Sequence, residues 1–133
     1  MKDKVIWIDK EKAYILTVKE EDVDMEVLTS RTAELGEEPT DRQGGATEIL
    51  KDRKVLERQK QMTKQYFDAL STKLQDAKRI MIMGPAQTGQ HFFNYLDQEK
   101  NSISKQVLEV KKAEKMTDNQ LKAVAREYYL SIS

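Results

Sequence analysis

Apolar positions in this chain gather into short runs set between charged turns. The first run, Val5-Ile6-Trp7-Ile8, stops at Asp9. Asp9-Lys10-Glu11-Lys12 is a polar turn, and Ala13-Tyr14-Ile15-Leu16-Thr17-Val18 follows it. β-Branched and aromatic residues fill both runs, as a pleated, half-buried surface favours. After a second turn at Glu20-Glu21-Asp22, Val23, Met25 and Val27 alternate with Asp24, Glu26 and Leu28. That is the period of two of a strand with one buried face. The three runs predict an antiparallel meander.

The pattern then changes period. From about 47 to 76, Ile49, Leu56, Met62, Phe67, Leu70 and Leu74 fall near one face of a helix, with Val55 and Tyr66 beside it and no Gly or Pro to interrupt. Its first half is so polar that it is expected to project, while its second half packs on the sheet. Arg79-Ile80-Met81-Ile82-Met83 is apolar on both faces after its start, the mark of a central strand, and Gly84-Pro85 ends it. Phe67, Leu70 and Leu74 are expected over one face of that strand, and Phe92, Leu96 or the last helix over the other. A helix at about 89–98 carries Phe92, Phe93 and Leu96, and Asn101-Ser102 reads as a turn. Gln106-Val107-Leu108-Glu109-Val110 is the last strand. Thr117-Asp118-Asn119-Gln120 has the form of a capping box opening a helix with Leu121, Val124, Ala125, Tyr128 and Tyr129. The order β-β-β-α-β-α-β-α predicts an α/β fold: a mixed sheet with parallel crossovers and helices packed on it.

Composition narrows the classes. At 133 residues the chain is expected to form one domain, residues 1–133. It has no cysteine, which removes disulfides, thiol nucleophiles and Cys-based zinc sites. The four apolar residues after Met1-Lys2-Asp3-Lys4 are too few for a signal peptide, and no run approaches a membrane span, so the expected location is cytoplasmic, without a membrane. Charged residues make up 35% of the chain, yet the net charge is zero, so bulk attraction to duplex DNA is not expected. Arg42, Lys51, Arg53, Lys54, Arg58, Lys60 and Lys64 are interleaved with Asp41, Glu48, Asp52 and Glu57, as on a solvated helix face.

Candidate chemistry is concentrated in two loops. Residues 31–46 are polar and nearly without apolar anchors. They carry Gly36, Pro39, Gly44 and Gly45 and are expected to be the most mobile internal segment. Asp41-Arg42-Gln43-Gly44-Gly45-Ala46-Thr47-Glu48 joins them to the long helix; its paired glycines serve either a turn or a backbone that approaches another surface closely. The second loop, Gly84-Pro85-Ala86-Gln87-Thr88-Gly89-Gln90-His91, has the glycine spacing of a phosphate-binding P-loop between a strand and a helix. Gln90 replaces the lysine, His91 replaces the Mg²⁺-ligating hydroxyl and Pro85 removes a donor, which argues against nucleotide hydrolysis. What remains is a helix start capped by Thr88, with a weak anion site at Thr88, Gly89 and Gln90. Asp9 is the candidate member of a metal-binding carboxylate cluster, but no acid follows Met83 to complete it. No metal and no cofactor are expected. Trp7 is expected in the core, Tyr128 and Tyr129 to pack on the sheet, and His91, without a partner in sequence, to sit at the surface or an interface.

Taken together, these residues resemble the middle domain of the class-1 peptide-chain release factors of eukaryotes and archaea and of Pelota, in small single-domain bacterial form. The resemblance rests on Ile6-Trp7-Ile8-Asp9 with Ala13-Tyr14-Ile15-Leu16, on Arg42-Gln43-Gly44-Gly45 before a charged helix, on Ile80-Met81-Ile82-Met83-Gly84-Pro85, and on Phe92, Phe93 and Leu96. The element order is shared with ribonuclease-H-like folds, of which that domain looks like a variant. Release factors carry Gly-Gly-Gln in this loop, and the Gln supports peptidyl-tRNA hydrolysis. Here Ala46 follows the glycines, and Gln43 stands before them. The resemblance therefore implies a translation-related factor with no catalytic residue. Such a factor would touch the ribosome, tRNA or rRNA through Arg42, Gln43, Gly44 and Gly45 and through Lys51, Arg53, Lys54 and Arg58. Two other classes stay open: a hydrolase or nuclease of ribonuclease-H-like fold using Asp9, and an interaction module whose long helix meets a partner or a second copy as a homo-oligomer.

Overall fold

The computed structural model describes residues 2–20, 22–30 and 52–132. The expectations for residues 31–46, and for Arg42, Gln43, Gly44, Gly45 and Lys51, lie outside them, as do those for the side chains of Arg53, Lys54 and Arg58. The described elements are β1 (Lys2–Ile8), β2 (Lys12–Val18), β3 (Val23–Thr29), α1 (Asp52–Thr72), β4 (Ala77–Gly84), α2 (Thr88–Glu99), α3 (Asn101–Ser104), β5 (Val107–Lys112) and α4 (Asp118–Ile132). The five strands form one sheet in the order β3-β2-β1-β4-β5. β1 pairs antiparallel with β2 and β2 with β3, while β4 lies parallel to both β1 and β5. The meander and the two parallel crossovers are as the patterning predicts.

β1 and β4 are central because they are apolar on both faces. Ile6, Ile8, Ile80 and Ile82 face one side, against Tyr66, Phe67 and Leu70 of α1 and Phe92 and Leu96 of α2. Val5, Trp7, Met81 and Met83 face the other, against Leu121, Ala125 and Tyr129 of α4. Phe92 and Leu96 therefore share a face with Phe67 rather than opposing it, and among the described helices α4 alone covers the second face. Two side chains tie that cover down: Tyr129 OH donates to Lys4 O at 2.6 Å, and Trp7 Nε1 donates to Ala113 O and Glu114 O at 3.3 and 3.2 Å. The capping box forms reciprocally. Thr117 N–H donates to Gln120 Oε1 at 2.9 Å, and Gln120 N–H donates to Thr117 Oγ1 at 3.1 Å.

Three local expectations change. β3 is an edge strand and does not bury one face throughout: Val23 is buried, Val27 is 50% exposed, and Leu28 is buried on the opposite side. α4 covers only the Val23 end of β3, and Leu28 joins the α1 side. α1 stops at Thr72 rather than near 76. Lys73 and Leu74 N–H donate to Leu70 O and Ser71 O, which tightens the chain and tucks Leu74 into the core. Asn101–Ser104 is a single helical turn, with Ile103 buried.

Candidate functional site

The strand order places a crevice at the carboxyl ends of β1 and β4. From β1 the chain turns toward β2 on one side; from β4 it crosses toward β5 on the other. Such a switch in direction leaves a gap above the sheet, where open α/β sheets bind ligands. The two strand ends are held close together there. A Cβ at Gly84 would lie 2.1 Å from Ile8 O, so only glycine fits.

On the β1 side, Asp9 opens the hairpin. Its Oδ1 accepts the N–H groups of Glu11 and Lys12, each at 2.8 Å, and its own N–H donates to Lys12 O at 2.9 Å. The carboxylate is thus spent on the turn. Among the described residues no group of three His, Cys, Asp or Glu side chains is placed to hold a metal ion. Tyr66 OH donates to Asp9 O at 3.0 Å and fixes α1 to this turn. Burial pushes the Tyr66 phenol well above its ordinary range, and the nearby Asp9 charge adds to the effect.

On the β4 side, Gly84-Pro85-Ala86-Gln87 leads into α2. Ala86 has φ 51°, the left-handed region that non-glycine residues avoid. Gln87, not Thr88, is the N-cap, and no side chain caps the helix. Thr88 is instead the first helical residue, so its expected capping role does not hold. No acidic side chain stands in the first turn, and the first intrahelical bond is His91 N–H to Gln87 O at 3.0 Å. The N–H groups of Thr88, Gly89 and Gln90 are those that a helix start leaves without an intrahelical partner.

These two sides enclose a cavity of about 380 Å³. Met62, Thr63, Tyr66 and Phe67 of α1 form one wall, Thr88 and His91 of α2 form the other, and Lys10 and Ser30 stand at its edge. Of the three anion-site candidates, Thr88 lines the cavity. Gly89 is pressed to the sheet, where a Cβ would sit 3.1 Å from Ile82 Cγ2. Gln90 is exposed and its amide donates to Asn94 Oδ1 at 3.1 Å. An open groove of about 520 Å³ continues between α1 and α2, with Lys60 and Lys64 on α1 and His91 and Tyr95 on α2. His91 is at the surface, as expected. Lys10, Tyr66 and Phe67 are absent from the sequence-predicted site, because they reach it only through the sheet order and the docking of α1.

An α/β domain with this mixed five-stranded sheet and helices on both faces is the class the geometry defines. Within it, solved structures share the fold over nearly the whole chain. Pelota from Archaeoglobus fulgidus aligns with a TM-score of 0.55 at 13% identity, over 89% of this chain and 28% of that one. Pelota from Thermoplasma acidophilum gives 0.56 at 13% identity, over 91% and 30%. An archaeal translation termination factor gives 0.55 at 16% identity, over 88% and 31%. The chain spans about three-tenths of the length of these proteins, and the likeness is one of fold. No protein-family model matches the sequence, and no curated protein sequence matches it. No described helix is long and apolar enough to cross a membrane.

Proposed function

We propose that this chain is a non-catalytic, translation-related factor of the cytoplasm that associates with the ribosome through rRNA or tRNA. One observation carries the reading: about nine-tenths of the chain folds like part of Pelota and of an archaeal translation termination factor. The proposed contact surface is Arg42, Gln43, Gly44 and Gly45, continued by Lys51, Arg53, Lys54 and Arg58 at the start of α1. With Ala46 after the glycines, the loop lacks the amide that supports peptidyl-tRNA hydrolysis in release factors, so the activity is binding rather than peptide release. The engagement of Asp9 in the β1–β2 turn weighs against the nuclease alternative.

Sedimentation with ribosomes tests the proposal. The protein should pellet with them at low salt and leave at high salt, because contacts to phosphates release counterions. Arg42→Ala should weaken pelleting while changing stability in urea melts by no more than about 0.5 kcal/mol, the effect expected where a residue serves contact rather than the core. Salt-independent pelleting, no pelleting, or wild-type pelleting of Arg42→Ala counts against it.

A further inference from the structure

The crevice at the ends of β1 and β4 has a composition that the ribosomal reading does not use. One end of it is polar and electron-poor. The uncapped start of α2 presents unpaired N–H groups and the positive end of the helix dipole, with no acidic side chain to occupy them. Thr88 is 8% exposed, lines the cavity, and among the described residues its hydroxyl has no hydrogen-bond partner. A buried hydroxyl left unpaired is costly, and such groups are rare unless a ligand or water completes them. Lys10 lines the cavity and, among the described residues, forms no ion pair. The carboxylate next to Lys10 in the chain, Asp9, is turned into the hairpin, where two N–H groups hold it. The α1 wall is mostly apolar, built from Met62, Phe67 and the ring of Tyr66, with Thr63 among them.

We infer that this cavity binds a nucleotide bearing a single phosphate. The phosphate would sit against the α2 start, on the Thr88 hydroxyl and the free N–H groups, with Lys10 balancing its charge. The base would lie along Phe67 and Met62. The cavity, at about 380 Å³, lies within the range of small-molecule sites and has room for one nucleotide. A triphosphate is disfavoured by charge: among the described residues Lys10 is the only lysine lining the cavity, Gln90 stands where a P-loop has its lysine, and Pro85 offers no N–H. Free nucleotides and the phosphorylated end of an RNA share this chemistry. The inference does not depend on ribosome association.

Amide NMR titration of the full chain with AMP, adenosine, inorganic phosphate and a 5′-phosphorylated oligoadenylate tests it. AMP should shift the Thr88, Gly89 and Gln90 amides and saturate. Inorganic phosphate should shift the same amides about tenfold more weakly, since it lacks the base contact. Thr88→Val keeps the side-chain shape and Lys10→Gln keeps its length. Each should weaken AMP about tenfold, the loss expected for a hydrogen bond to a charged group, while Lys112→Gln on β5 should not. Tighter saturation by the oligoadenylate than by AMP would assign the site to an RNA end, and weaker saturation to a free nucleotide. The inference is overturned if AMP leaves these amides unmoved at millimolar concentration, if phosphate binds as tightly as AMP, or if Thr88→Val and Lys10→Gln both bind AMP like the parent.

Discussion

Ala86 sits at φ 51° in the turn between β4 and α2, where an L side chain meets the following carbonyl. The cost of that conformation is about 1–2 kcal/mol, and glycine would remove it while losing roughly 0.5–1 kcal/mol to its freer unfolded state. Ala86→Gly should therefore stabilise the fold slightly, by up to about 1.5 kcal/mol, read as a higher urea midpoint at unchanged slope. A lower midpoint would mean that the Ala86 methyl makes a contact worth more than the strain. Single residues also show what the sequence could and could not say. The Thr117–Gln120 capping box was legible because both partners lie within one turn. The start of α2 was not, because the residue before Thr88, Gln87, takes the N-cap without offering a side-chain bond.

Among the elements, the pairing of β1 with β4 carries the most weight, and two glycines separate backbone constraint from side-chain constraint. At Gly84 a methyl would collide with the backbone oxygen of Ile8, so β1 or β4 must move. Gly84→Ala should cost at least about 2–3 kcal/mol, the upper part of what overpacking usually costs. At Gly89 the methyl would meet one side-chain carbon of Ile82 at 3.1 Å, while gaining about 1 kcal/mol of helix propensity. Gly89→Ala should therefore stay within about 1 kcal/mol of the parent. Equal losses in thermal melts of the two variants would refute this division. The same scale explains where pattern reading worked. β1, β4, α2 and α4 were legible because the apolar residues that set their patterns meet cover: Val5 to Ile8, Ile80 to Met83, Phe92, Leu96, Leu121 and Ala125 are all buried. β3 misled because an edge strand is covered only where a helix reaches it. The end of α1 misled because Leu74 stays buried in a turn after the helix has stopped. The cavity was half legible: its α2 side is a local strand–turn–helix pattern, whereas Lys10, Tyr66 and Phe67 arrive from distant parts of the chain.

For the whole molecule, two tyrosines set a limit on the alkaline side. Tyr66 on one face of the sheet and Tyr129 on the other are 2% and 3% exposed, and both phenols are pushed above the ordinary value of 10.0, by burial first and then by Asp9 and Asp3 respectively. A third, Tyr95, is pushed up to about 12, by burial and by its hydrogen bond to Asp68. Raised phenols keep their protons in the folded state after the unfolded chain has begun to lose its own. Their effect on stability is constant below pH 10 and turns unfavourable as pH rises above it. Each fully buried tyrosine should then lower stability by about 1.4 kcal/mol per pH unit. Urea midpoints should be flat across pH 8–9.5 and fall beyond, and Tyr66→Phe should make that fall shallower. An unchanged slope in the variant would show that Tyr66 ionises freely in the folded state. The sheet order has a further consequence, for synthesis. β1 is made first but is completed by β4, which begins only at Ala77. At about 5–20 residues per second, its apolar open edge waits on the order of 4–14 s for its partner to be made. During that interval the nascent meander offers Val5-Ile6-Trp7-Ile8 to any passing strand. A chain cut after Asp76 should self-associate in sedimentation, while the full chain stays dispersed; a monomeric fragment would show that the meander shields this edge unaided.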